Sequence, residues 1–250
     1  MNNNKIIILA LLLSVVMLVL GCAGKQARRV EKTGFLGDYS EFKQGKSNEA
    51  LYLYINPKAQ CNNYTKVMID PVSLWAKGEN SELAELDPKD KKMLMTMAWG
   101  TLYDAMRKGQ FEIVDQVGPG VLRVRGAVTD AAKANVLLAD VLAVAPYAWM
   151  GSTVWGMGTG KWPFLGELSG EMEILDSETG ERLFAAVDKV VGRLGGNLDP
   201  MNRWGDVVDG FRLWRDRMGV RMKSCRETGS LAMPEDDRMW IEQTIDYVAP

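Results

Sequence analysis

Histidine is absent from all 250 residues. That excludes Ser-His-Asp and Cys-His catalysis, HExxH zinc chemistry, and the side chain most used for proton transfer near neutral pH. Cysteine is scarce: three residues, none in a CxxC pair, which argues against a structural zinc site. Neither sign of charge is in excess, with 30 Lys and Arg against 32 Asp and Glu and a formal net charge of −2. A nucleic-acid partner would need a basic face for its phosphates, so none is expected. Any enzyme built on this chain must work with carboxylates, Lys, Tyr or Ser alone. No catalytic residue, cofactor or metal ligand is expected.

What is present is one long apolar run at the start. Residues 6–20 are apolar except Ser14, after a short polar opening that carries Lys5. A spanning helix needs about 20 apolar residues, and this run is the length of a secretory-signal core. It ends in Val19-Leu20-Gly21-Cys22, which resembles the bacterial lipobox, where a small residue precedes the cut and the next cysteine receives lipid. The expectation is cleavage before Cys22 and lipid attachment to it. Several acyl chains on one residue hold a soluble domain firmly where one gives marginal binding. Ala23 follows rather than Asp, so the outer membrane, facing the periplasm, is expected if the cell has two membranes. Lys25, Arg28, Arg29 and Lys32 then read as a basic tether.

With 47% hydrophobic residues over its 250 positions, the chain can bury a real core. Residues 23–65 lack a sustained period and read as an extended arm. "TKVMIDPVSLW" (65–75) reads as a buried strand interrupted by Pro71. Asp87 and Pro88 open a helix in which Leu94, Met97, Ala98, Thr101, Leu102, Ala105 and Met106 recur at helical spacing, with Gly109 at its end. "QFEIVD" (110–115) and "VLRVRGAVTD" (121–130) read as strands. From 167 to 174 the pattern alternates: Leu168, Met172 and Ile174 on one face, Glu167, Ser169, Glu171 and Glu173 on the other, the expected wet face. "DSETGE" (176–181) is a hairpin turn and residues 182–192 the return strand. Val207, Phe211, Trp214 and Met218 lie on one face of a late helix. A further short helix is expected within 234–248.

The order β-α-β-β, insert, β-β-α predicts an α+β domain of two layers, a mixed, mainly antiparallel sheet with helices on one face. The expected organisation is a signal peptide over 1–21, tether and arm over 22–65, the domain over 66–223 with an insert at 131–165, and a C-terminal extension over 224–250. The insert holds "VLAVAPYAWMGSTVWGMGTG" (141–160), uncharged and long enough to span. Pro146 and four glycines oppose a lipid-exposed helix, so a packed, partly helical insert with a glycine-rich loop is expected, with membrane contact as the alternative.

Several motifs fail on inspection. "GMGTGK" (156–161) is not a phosphate loop, because Trp155 and Trp162 stand where Gly and Ser or Thr are needed. "GELSGE" places Ser169 one position late for a nucleophile elbow. Glu167, Glu171 and Glu173 suit a solvated face better than acid–base work or Ca²⁺. Trp149, Trp155 and Trp162 suit core packing better than sugar stacking. With Cys22 used for lipid, Cys61 and Cys225 remain as a candidate disulfide in an oxidising compartment, against two free thiols.

"TGFLGDYSEF", "YINPKAQCNNYTKVMIDPVSLW", "GELSGEMEILDSETGERLFAAVDKVVG" and "WGDVVDGFRLW" together resemble bacterial lipoproteins grouped as domain of unknown function 3313. The resemblance covers nearly the whole mature chain. It implies a lipid-anchored envelope protein and supplies no catalytic residues. The functional expectation is therefore a non-enzymatic module, anchored to the membrane by its N-terminal lipid and binding an envelope protein partner. The alternatives are a carboxylate hydrolase using Glu171 and Glu173, and a membrane-interacting export component resting on 141–160.

Overall fold

Asp87 caps its helix as its sequence suggests. Its carboxylate accepts from the Asp90 backbone N–H at 2.9 Å, Pro88 holds the first position, and Arg107 and Lys108 sit in the last turn. In the computed structural model, residues 29–46, 48–76, 82–134, 165–192 and 202–234 are described. They fall in the unit Gln26–Pro234. Their elements run β1 (Lys43–Gln44), β2 (Tyr52–Ile55), a 3-10 turn (Cys61–Asn63), β3 (Lys66–Ile69), β4 (Ser73–Leu74), α1 (Glu82–Glu85) and α2 (Pro88–Lys108). Then come β5 (Glu112–Val114), β6 (Val121–Ala132), β7 (Glu167–Asp176), β8 (Arg182–Val191) and α3 (Gly205–Thr228).

The sheet order is β1-β2-β8-β7-β6-β3-β5, with β4 also on β6. Pairing is antiparallel from β1 across to β6 and parallel where β3 meets β5 and β6. Parallel neighbours need a crossover, and α2 supplies it between β3 and β5. β3 and β4 lie successively along β6, with Asp70 to Val72 between them, so Pro71 falls at the break. The α+β class with a mixed, mostly antiparallel sheet stands.

Both long helices lie on one face. Leu94, Leu102 and Met106 of α2 and Val207, Phe211 and Met222 of α3 are buried in one cluster with Leu122, Val124, Leu168, Ile174 and Phe184 of the strands. The β6–β7 register slips at one point, between Val128 and Asp130, where Thr129 is the extra residue of a bulge. The hairpin between β7 and β8 closes as its residues suggest. Asp176 Oδ1 accepts from the N–H groups of Glu178 and Thr179, and Gly180 takes φ +72°.

Two details differ from the sequence reading. The segment read as an arm supplies strands β1 and β2, and β2 pairs with β8 through Tyr52↔Val187 and Ile55↔Phe184. The last helix does not stop before Ser224. It runs to Thr228 and is closed by Gly229 in the left-handed region, which places Cys225 inside it. Most of the 131–165 insert and the terminal helix expected within 234–248 lie outside the described residues, although β6 continues to Ala132.

Candidate functional site

The alternation along β7 puts Glu167, Ser169, Glu171 and Glu173 on the face opposite the helices. That face was expected to be wet, and it is not. Glu171 and Glu173 are each 2% exposed and Glu167 is 7% exposed. A carboxylate buried to that degree must be paired or hydrogen-bonded, and each is. Glu173 lies between two guanidinium groups, with Arg125 Nη1 donating to Oε1 at 2.6 Å and Arg182 Nε to Oε2 at 2.9 Å. Arg125 is its register partner on β6. Lys189 pairs with Glu167.

Glu171 is held by the N-terminal segment. Thr33 gives it both its backbone N–H, at 2.7 Å, and its hydroxyl, at 2.9 Å, on Oε1. Tyr39 Oη donates to Oε2 at 2.5 Å and accepts from the N–H groups of Gly34 and Leu36. Burial first, then the hydrogen bond to Glu171, pushes the Tyr39 phenol up to about 12. Arg182 fastens the same loop by donating to the carbonyls of Leu36 and Asp38. Gly34 and Gly37 both have positive φ, which lets the chain turn tightly enough for Tyr39 to reach back.

Apolar contacts complete the cover. Leu36 packs with Ala185 and Val187 of β8, joined by Phe35, Tyr39, Phe42, Tyr52 and Tyr54. Lys32 Nζ stands 5.1–5.9 Å from the ring centres of Tyr52, Tyr39 and Phe42, within cation–π range of all three. Phe35 meets Trp75 edge-on at 5.7 Å. Residues 30–42 thus form a strap across the sheet, fastened directly at Glu171 and, through Arg182, at Glu173. As chemistry, this arrangement presents no solvated carboxylate pair to a substrate.

Of the other sequence candidates, Cys61 and Cys225 are joined as a disulfide, with Cα atoms 5.2 Å apart and both residues fully buried. The bond ties the 3-10 turn after β2 to the last turn of α3. Cys22, Trp149, Trp155, Trp162 and the 141–160 stretch lie outside the described residues. Among the described residues no group of His, Cys, Asp and Glu is arranged to hold a metal ion, and no helix is long and apolar enough to cross a membrane. The sequence reading missed Thr33 and Tyr39 as partners of Glu171, because they sit 138 and 132 positions away. It also missed the inward role of Arg125 and Arg182, for which the signal was present: alternate positions of paired strands carrying opposite charge.

A family described as "Protein of unknown function (DUF3313)" matches residues 31–218. No curated protein matches the chain. Among solved structures, a PelC dodecamer from Paraburkholderia phytofirmans is similar at 13% identity and a TM-score of 0.35, over 67% of this chain and 92% of that one. A DUF4136 family protein from Bacteroides thetaiotaomicron is similar at 10% identity and a TM-score of 0.37, over 72% and 97%. Similarity this low carries no argument about activity or partner.

Proposed function

The chain belongs to the DUF3313 family, and we propose that it is a lipid-anchored cell-envelope protein whose α+β domain is a non-enzymatic protein-binding module. The observation that carries the reading is the engagement of Glu171 by Thr33 and Tyr39. Of the two carboxylates on which a hydrolase would depend, Glu171 fastens the N-terminal segment directly and Glu173 is occupied by Arg125 and Arg182. A pull on an anchor at Cys22 would reach the sheet through that strap. The absence of histidine from the sequence points the same way.

For a partner, the outward side of α2 offers a rigid aromatic pair. Trp99 is 39% exposed and stacks on Tyr103 at 5.3 Å. Aromatic anchors of this kind are enriched at interfaces. The lipobox at Val19-Leu20-Gly21-Cys22 supplies the anchor. The outer membrane is the proposed destination if the cell has two.

The test has two readouts. Mass spectrometry of the protein from its own envelope should find a mature N-terminus at Cys22 carrying acyl chains. A photo-crosslinking residue at position 99 should capture one recurrent envelope protein, and loss of both results sinks the reading. Loss of a cell phenotype with Glu171→Gln but not with Tyr39→Phe would return the carboxylate-hydrolase alternative, since both changes weaken the strap and only one removes the acid.

A further inference from the structure

The sheet and its two helices do not close fully on each other. A cavity of about 100 Å³ remains between them, lined by α2, α3 and strands β6 to β8. The sequence explains why. At helix-facing positions of three adjacent strands stand Gly126, Gly170 and Ala186, and α2 presents Ala98 and Ala105 above them. At Gly170 the missing side chain lets the Trp214 indole seat on the strand, since a Cβ there would stand 3.0 Å from its ring. The alanines leave their volume unfilled, whereas interiors otherwise pack without voids.

The shape and lining restrict the occupant. Along α2 the lining runs from Ala98 to Ala105, about 10 Å at 1.5 Å per residue, and along α3 from Phe211 to Arg221, about 15 Å. It is a slot, walled almost wholly by carbon. A ligand body with hydrogen-bonding groups would find them unmatched there, while apolar cavities stay dry and accept apolar guests.

Charge gathers where the segment before β2 meets β8 and α3. Asp188 accepts from the Trp214 indole N–H and from the backbone of Leu51. Arg221 pairs with Glu49, and Arg217 reaches the Glu49 carbonyl at 3.4 Å and Asp188 at 4.0 Å. Two acids and two bases balance. A fatty carboxylate would face Glu49 and Asp188 as well as the arginines, and a bare cationic head the reverse. A head group with no net charge suits this rim best.

We propose that this slot is a binding site for a single alkyl chain of a neutral or zwitterionic amphiphile, with the chain between Ala98 and Ala186 and the head at Arg217 and Asp188. The labelling is read on the chain in its membranes, so loss of label at the slot while the chain stays membrane-bound counts against the site and leaves the anchor and partner readings standing.

The probe is a dodecylphosphocholine analogue with a diazirine midway along its chain, used below its micelle concentration on the full chain in its own membranes. After illumination and peptide mapping, label should concentrate on the peptide holding Trp214 and Met218. Ala98→Leu and Ala186→Leu fill the slot from two different elements. Each should lower that labelling at least tenfold, with the chain still accumulating in the membrane and the Cys61–Cys225 bond intact. Thr96→Leu, on the exposed side of α2, should leave it unchanged. Unlabelled dodecylphosphocholine should compete at least fivefold better than dodecanoate. Label found only outside the slot, or labelling undiminished in a filled variant that folds, overturns the site. Equal competition by dodecanoate overturns the head-group assignment.

Discussion

Tyr39 and Glu171 meet at 2.5 Å across 132 positions of sequence, one from an irregular segment before the first strand and one from the middle of the sheet. The bond makes the N-terminal strap part of the domain. Glu171 is 2% exposed, so its charge is tolerable only while Thr33 and Tyr39 donate to it.

Glu171→Gln keeps the shape but replaces one acceptor oxygen with a donor that faces donors. A loss of about 1–3 kcal/mol of stability is expected, the range for a hydrogen-bond set on a charged group. Hydrogen exchange should quicken at residues 33–39 before anywhere on α2. Exchange that stays slow there would contradict the strap.

The raised Tyr39 phenol gives a pH dependence with a definite sign. Its folded value of about 12 lies above the ordinary 10.0, so the folded state holds the proton more tightly. The stability that it contributes is whole below pH 10 and is lost as pH rises towards 12. Ultraviolet titration of the folded protein should show a tyrosine step near 12 that Tyr39→Phe removes. Tyr64, hydrogen-bonded to Asp176 and partly buried, should resist ionisation as well.

The disulfide is open to a direct chemical check. In the native, non-reduced chain Cys61 and Cys225 should resist alkylation, and both should react after reduction and unfolding. The pair encloses a long stretch of chain, with a separation of 164 positions. Replacing both residues with serine should cost about 2–5 kcal/mol. Two reactive thiols in the unreduced protein would remove the bond.

Gly192 and Gly100 should respond oppositely to alanine. Asp206, at the start of α3, accepts from Gly166 N–H at 2.8 Å, and a Cβ on Gly192 would overlap its carboxylate. Gly192→Ala should destabilise by about 1–3 kcal/mol through that overlap. Gly100 lies inside α2 with nothing within 4 Å of where a Cβ would go. Gly100→Ala should stabilise by about 0.5–1 kcal/mol. Thermal melts of the two variants decide both.

Local signals in the sequence served well. The Asp87-Pro88 start, the Asp176-to-Gly180 turn and the Leu/Met stripe of α2 each depend on neighbours a few residues away, and the structure has them where expected. The end of α3 was missed although Gly229 marks it, because charged residues after Met222 hide the helical stripe. The failure at Glu171 and Glu173 is of another kind. Alternation tells which side chains share a face, but not what covers that face. For Glu171 the cover comes from 138 positions upstream and carries no period of its own, whereas the arginines on Glu173 stand on the paired strands. A second hidden feature is the slot beneath the helices, since nothing in the local sequence shows that Ala98 of α2 and Ala186 of β8 line one cavity.

The pairing of β2 with β8 has a consequence for how the chain comes into being. Leu51, just before β2, donates to Asp188, 137 positions later. As the chain is made or threaded from its N-terminus, β2 exists long before the strand that will hold it, with its Tyr52-Leu53-Tyr54-Ile55 edge unpaired. The helix α2 and its parallel strands have their partners nearer at hand and can form first. Closure of the sheet waits for residues 182–191, because β8 is the strand that joins β2 to β7.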